Sequence, residues 1–143
     1  MAAVNPYLSF NDNTEEVFNF YKSVFGGEFI ALQRYGDMPS NVPGSDSDAK
    51  KVLHVALPIG KETVLMGSDS PDSFPPVVNG TNFNICINAE SEEEATKLFN
   101  GLSAGGQVIM PLGKAFWGAY FGMFNDKFGI SWMVNYTYEQ AGK

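Results

Sequence analysis

The chain is poor in the residues that carry much of protein chemistry. It has one cysteine, Cys86, and one histidine, His54, in 143 residues. A single cysteine excludes an internal disulfide and fits a reducing compartment. A single histidine excludes a two-histidine metal site, and no Ser–His–Asp order suggests itself. Positive charge is scarce as well: 9 Lys and Arg against 16 Asp and Glu leave a formal net charge of −7. A nucleic-acid partner held through phosphate contacts is therefore not expected, and the acidic surface reads as a solubility feature. No apolar run approaches the ~18 residues of a membrane-spanning helix. The opening MAAVNPYLSF has neither the basic region nor the long apolar core of a secretory signal. The expectation is a cytoplasmic protein with no membrane contact.

What the chain does have is aromatic residues, and they crowd into Ala115–Tyr136. Two strand-like segments, Ala115–Phe124 and Ile130–Tyr136, flank the polar turn Asn125-Asp126-Lys127-Phe128-Gly129. A hairpin this aromatic must pack on both faces or line an apolar pocket.

A weaker version of the same organisation fills the first half. Val4–Phe10 reads as a strand, with Pro6 favouring an edge position. Asn13 and Glu16 resemble a capping box, and Val17, Phe20, Tyr21 and Val24 make a helical stripe. Gly26-Gly27 ends that helix, and Glu28–Tyr35 is a strand. Gly36–Lys50 is a long loop, with Met38 in a possible lid, before a hairpin of Val52–Ile59 and Glu62–Gly67. Asp69–Gly80 is a linker by composition. Then come the strand Thr81–Ala89, a full capping box at Ser91 and Glu94, and the stripe Ala95, Leu98, Phe99 and Leu102. Gly105-Gly106, the strand Gln107–Met110 and the aromatic hairpin complete the second half. Asn5 and Asn84 are 79 positions apart, as are the two Gly-Gly pairs, while the helical stripes match at 78. The economical reading is one α+β domain, 1–143, made of two tandem βαβββ modules at 4–68 and 81–136 joined by 69–80. In each module the helix covers one face of a curved mixed sheet and leaves the other free to border a cavity.

Two βαβββ modules resemble the vicinal oxygen chelate superfamily, which includes glyoxalase I, extradiol dioxygenases and bleomycin-resistance proteins. Within it the chain resembles the PhnB-like branch. The likeness is carried by Phe10-Asn11, Phe20–Gly27, Tyr35–Pro39, Leu65–Asp69, Phe116-Trp117-Gly118 and Asp126–Tyr136. It covers nearly the whole chain and implies a glyoxalase/bleomycin-resistance-like fold. It also implies that a divalent metal, where present, is held from the first and last strand of each module. Those places here look like Asn5, Met66, Asn84 and Met133. Two amides and two thioethers make a poor site for a hard or borderline divalent cation, since a thioether prefers soft ions such as Cu(I). No metal ligand set is assigned, and the expected cofactor is none.

Alternation places Asn5, Tyr7 and Ser9 on one strand face. It does the same for Asn84, Cys86 and Asn88, and for Ser131, Met133 and Asn135. These sets would line a pocket with a few polar anchors. Phe116, Trp117, Tyr120 and Trp132 are candidates for its apolar wall, against the alternatives of core packing and dimer contact. His54 reads as a pocket-lining or hydrogen-bonded core histidine, with a general base or lone ligand as the sharper alternative. Cys86 reads as a buried structural residue, since FNICINA offers no activating charge. Asp46, Asp48, Asp69 and Asp72 fall in linkers without calcium-loop spacing, and Glu92–Glu94 form a helix first turn.

The leading functional reading is a metal-free homodimer that binds an aromatic or amphipathic small molecule. The ligand would touch Asn5, Tyr7, His54, Met66, Asn84, Phe116, Trp117, Tyr120 and Met133; no catalytic residue is assigned. The alternative is a metal-dependent lyase, isomerase or dioxygenase of the superfamily centred on His54. Relatives of this branch also carry methyltransferase-like names, but the chain lacks the glycine-rich strand-to-helix loop of a doubly wound nucleotide-binding fold.

Overall fold

The computed structural model describes residues 2–37 and 48–138. The expected lid at Met38 and the acidic residue Asp46 lie outside them. The fold divides into two compact units, Met1–Val78 and Asn79–Lys143.

The first unit runs β1 (Tyr7–Phe10), α1 (Thr14–Phe25), β2 (Ala31–Arg34), a 3-10 turn at Tyr35–Asp37, β3 (Val52–Ile59) and β4 (Thr63–Asp69). Its sheet has the order β1-β4-β3-β2, with β1 parallel to β4 and the other pairs antiparallel. The second unit runs β5 (Ile85–Asn88), α2 (Glu92–Ser103), β6 (Gln107–Ala115), β7 (Ala119–Asn125) and β8 (Ser131–Thr137). Its sheet has the order β5-β8-β7-β6 with the same pattern of directions. Two helices and eight strands in two four-stranded mixed sheets thus match the α+β, twice-βαβββ architecture expected from the sequence. β1 is an edge strand, as Pro6 requires: Pro6 has no N–H to give, while its carbonyl accepts from the Met66 N–H at 3.1 Å.

The element limits differ in instructive ways. Both module-opening strands are short: β1 begins only at Tyr7 and β5 only at Ile85. The run Ala115–Phe124, expected as one strand, is broken: β6 ends at Ala115, and the chain turns back at Phe116–Gly118, where Gly118 takes φ 88°. The Gln107–Met110 strand correspondingly extends to Ala115.

The helices bury what faces their own sheets. In α2 the buried residues are Ala95, Leu98, Phe99 and Leu102, the stripe read from the sequence. In α1 they are Thr14, Val17, Phe18 and Tyr21, so Phe20 and Val24 stand at the rim and Phe18 replaces them in the core. The stripes therefore correspond at 81 positions, not 78 (Val17 to Leu98). Each helix presses a phenylalanine onto a strand glycine. A Cβ on Gly67 would stand 2.7 Å from Phe18 Cε1, and one on Gly122 would stand 2.6 Å from Phe99 Cε2. Leu8, Val55, Leu57 and Leu65 complete the first core; Phe124, Trp132 and Val134 complete the second, with Phe99 edge-on to Phe124 at 5.0 Å.

Two buried carboxyls tie these cores to their loops. Asp69 is the last residue of β4, not the first of a linker, and it is buried. Its Oδ1 accepts from the Thr14 N–H at 3.0 Å and its Oδ2 from the Val52 N–H at 2.8 Å. Asp126, in the turn between β7 and β8, accepts from the N–H groups of Phe128 and Ile130 on Oδ1 and from Trp132 Nε1 on Oδ2. Asp48 is also buried rather than lying in an open linker, paired with Lys51 at 3.1 Å. Lys51 reaches Asp72 at 2.9 Å as well, and these two hydrogen bonds raise its pKa above the ordinary lysine value.

Candidate functional site

In each sheet the strands put one set of side chains against the unit's own helix and the alternate set on the opposite face. The ladders fix which residues share that open face. In the first unit a cross-strand row runs Tyr7–Met66–Ala56–Ala31. The equivalent row of the second unit is Cys86–Met133–Met123–Met110. Tyr7 and Cys86, and likewise Met66 and Met133, hold equivalent places in the two ladders.

On the first open face Tyr7 is 49% exposed, and its ring stacks on His54 with centroids 5.9 Å apart and planes at 24°. The Tyr7 hydroxyl stands 3.5 Å from His54 Nδ1, the outer limit of a hydrogen bond. His54 pairs across the sheet with Gln33 and is half-buried, so it is a face residue, not a core one. Asn5 precedes β1, and its Oδ1 accepts from the Val64 N–H at 2.9 Å. That bond pins the entry to the strand and occupies a lone pair of the amide oxygen.

The second open face is a layered surface. Above the sulfur row lies Asn88–Asn135–Phe121–Gly113, in which Asn135 Nδ2 donates to Asn88 Oδ1 at 3.2 Å. Below it lies Ser131–Asn125–Gln107, in which Ser131 Oγ donates to Asn125 Oδ1 at 2.8 Å. Asn84 is exposed just ahead of β5. Phe116 and Trp117 occupy the β6–β7 turn, 97% and 52% exposed, in an edge-to-face pair at 5.1 Å. Trp117 in turn meets Phe121 edge-on at 5.6 Å. Tyr120 stands on the other side: its hydroxyl lies 3.1 Å from Thr96 Oγ1 of α2. Trp132, offered as a pocket wall, is a core residue held by Asp126. Cys86 is exposed rather than buried, although partial burial of its thiol pushes its pKa up.

The structure therefore brings Tyr7, His54 and Met66 together on one face. It places Met133 and Trp117 on the open side of the other sheet and turns Tyr120 toward a helix. Sequence reasoning missed Phe121, Met123 and Met110. Alternation within β7 groups Phe121 with Met123, but only the register sets Met123 beside Met133 and Phe121 beside Asn135. Among the described residues no three His, Cys, Asp or Glu side chains cluster as a metal site would require, and no helix is long and apolar enough to cross a membrane.

The comparisons with known proteins agree with this architecture. A glyoxalase/bleomycin resistance protein/dioxygenase family enzyme from Burkholderia phytofirmans shares the fold, with TM-score 0.61 at 15% identity over 94% of this chain and 97% of that one. Protein PA1353 of Pseudomonas aeruginosa is 40% identical over 97% of this chain and 100% of that chain, with TM-score 0.86. A PhnB protein from Bacillus cereus is 28% identical over 95% and 100%, with TM-score 0.74. Protein YjdN of Escherichia coli is 28% identical over 96% of this chain and 97% of its own length. A family model described as 3-demethylubiquinone-9 3-methyltransferase matches residues 2–135. With its two βαβββ units and these relatives, the chain belongs to that family, the PhnB-like branch of the glyoxalase/bleomycin-resistance fold.

Proposed function

We propose that the protein binds an aromatic or amphipathic small molecule on the open sheet faces and needs no divalent metal to do so. The observation that carries this reading is the Tyr7–His54 stack beside Met66. It is a half-exposed aromatic platform with one polar edge, on the sheet face opposite α1. A flat ligand stacks on such a platform while the imidazole and phenol supply its hydrogen bonds. The edge-to-face cluster of Phe116, Trp117 and Phe121 offers a second apolar surface of the same kind. Asn5, Met66, Asn84 and Met133 are weak donors toward hard cations. The methyltransferase description belongs to the family model; each sheet here is mixed and four-stranded, unlike the parallel sheet of a doubly wound nucleotide-binding fold. The exposed turn aromatics and the edge strands also support a homodimer, and the composition supports a cytoplasmic location.

Thermal melting of chelator-stripped protein against a panel of planar aromatic and amphipathic compounds tests this reading. At ~100 times its dissociation constant a ligand of the folded state adds about 2.7 kcal/mol of stability. The expected result is a shift of several degrees with a panel member, lost in Tyr7→Ala and His54→Ala, and none with Mn²⁺, Ni²⁺, Zn²⁺ or Fe²⁺. A shift with one of these metals that disappears in His54→Ala would replace the binding reading with the metal-dependent enzyme.

A further inference from the structure

The sulfur row of the second sheet goes beyond the ligand reading. The chain has six methionines, and three of them, Met110, Met123 and Met133, fall in one cross-strand row that ends at the only cysteine. The fold itself does not require this. The equivalent row of the first sheet, Tyr7–Met66–Ala56–Ala31, has a single sulfur in an otherwise matching ladder. Core packing does not account for it either, because the row lies on the face opposite the buried Phe124, Trp132 and Val134, and Met110 is 45% exposed.

Neighbouring strands lie about 4.8 Å apart, so the Cα atoms of Cys86, Met133 and Met123 span roughly 10 Å. Methionine has three rotatable bonds and cysteine points from the same face, so the three sulfurs can converge on one centre. We propose that Cys86, Met133 and Met123 form a binding site for a soft monovalent metal ion, Cu(I) in its biological form, with Met110 available as a fourth sulfur. Thioether and thiolate ligands select Cu(I) over the hard divalent cations. The flanking rows, Asn88–Asn135 and Ser131–Asn125–Gln107, contain only neutral groups, so they offer a hard cation no carboxylate. One thiolate with two neutral thioethers balances one positive charge, which suits a half-buried face. Binding replaces the thiol proton: one Cu⁺ enters, one H⁺ leaves, and no electron is transferred.

Anaerobic titration of the full chain with Cu(I), in competition with a chromophoric Cu(I) chelator, is the test. The expected result is one ion bound per chain with a thiolate-to-copper absorption band. Met133→Leu and Met123→Leu should each weaken binding by about tenfold or more, and Cys86→Ser should abolish the band. Failure to draw copper from the chelator would overturn the site. So would Leu variants that bind as tightly as the parent, since the thiol would then be acting alone. In the unsubstituted protein, labelled methionine methyls give an independent readout. Those of Met123 and Met133 must shift on Cu(I) addition, and unmoved resonances would equally sink the proposal.

Discussion

The two units share a topology and solve its problems differently. Each helix N-terminus leaves N–H groups that need acceptors. In α2 the solution is local: Ser91 accepts from the Glu94 N–H at 3.0 Å, and the Glu94 side chain reaches back to the Glu90 N–H at 2.9 Å. In α1 the expected cap Asn13 makes no side-chain cap bond, and Asp69, 55 residues further on, serves the Thr14 N–H. The Gly-Gly pairs diverge in the same way. Gly26 and Gly27 both take positive φ with open space beside them. Gly105 alone is left-handed in its pair, and a Cβ on Gly106 would collide with the Asn125 carbonyl. Repetition of a fold thus preserves the geometric requirement while leaving free which residue meets it.

Substitutions can break that comparison at three levels. The largest effect is expected at the buried carboxyls. Asp126→Ala orphans three donors at roughly 1–3 kcal/mol each, for a loss of about 3–5 kcal/mol after relaxation, and Asp69→Ala orphans two for about 2–4 kcal/mol. Urea unfolding ranks the two, and hydrogen exchange locates them: Asp69→Ala should expose the Thr14 and Val52 amides, and Asp126→Ala those of Phe128 and Ile130. Equal loss of protection in both units would show that these carboxyls do not act locally.

The caps come next. Ser91→Ala should cost about 1 kcal/mol, while Asn13→Ala, with no side-chain bond to lose, should cost only a few tenths. Equal costs in chemical denaturation would refute the division between local and distant capping.

The smallest effect belongs to the ion pair of Glu15 with Arg34, which joins α1 to β2 at 2.7 Å. The hydrogen bond from Arg34 holds the Glu15 carboxyl below its usual value. Its stabilisation is therefore present above the unfolded carboxyl's pKa of about 4.3 and is lost as pH falls through the lower folded value. With 45% of the Glu15 side chain and 34% of the Arg34 side chain exposed, solvent screening keeps it below about 1 kcal/mol. Glu15→Gln should show that small deficit at pH 7 and none at about pH 2; a deficit independent of pH would mean that packing, not charge, is lost.

Much of this was legible in the chain. The α2 stripe and cap could be read because every signal lies within one helix. The βαβββ repeat emerged from spacing alone. What stayed hidden depends on distant partners. Asn13 and Glu16 imitate a capping box, but a carboxyl at the end of β4 wins the Thr14 N–H. The turn at Phe116–Gly118 was concealed because two aromatics there look like strand residues, and only Gly118 marks the reversal. On the candidate faces, alternation grouped Asn5 with Tyr7 and Asn84 with Cys86, but Asn5 and Asn84 lie ahead of β1 and β5, outside the alternating strands. Alternation did not reveal that Tyr7 on β1 meets His54 on β3 across the intervening β4, or that three methionines and a cysteine align. Those facts belong to register.

The edge strand β6 has a further consequence. Val108, Ile109 and Met110 are exposed in sequence at the border of the second sheet, an open template for any stray strand. Pro111 follows at once and withdraws an N–H, and the ladder shifts register on both sides of Met110. An incoming chain would meet a bent rail with a missing rung, so fibrous stacking is discouraged by backbone shape where the side chains alone would invite it.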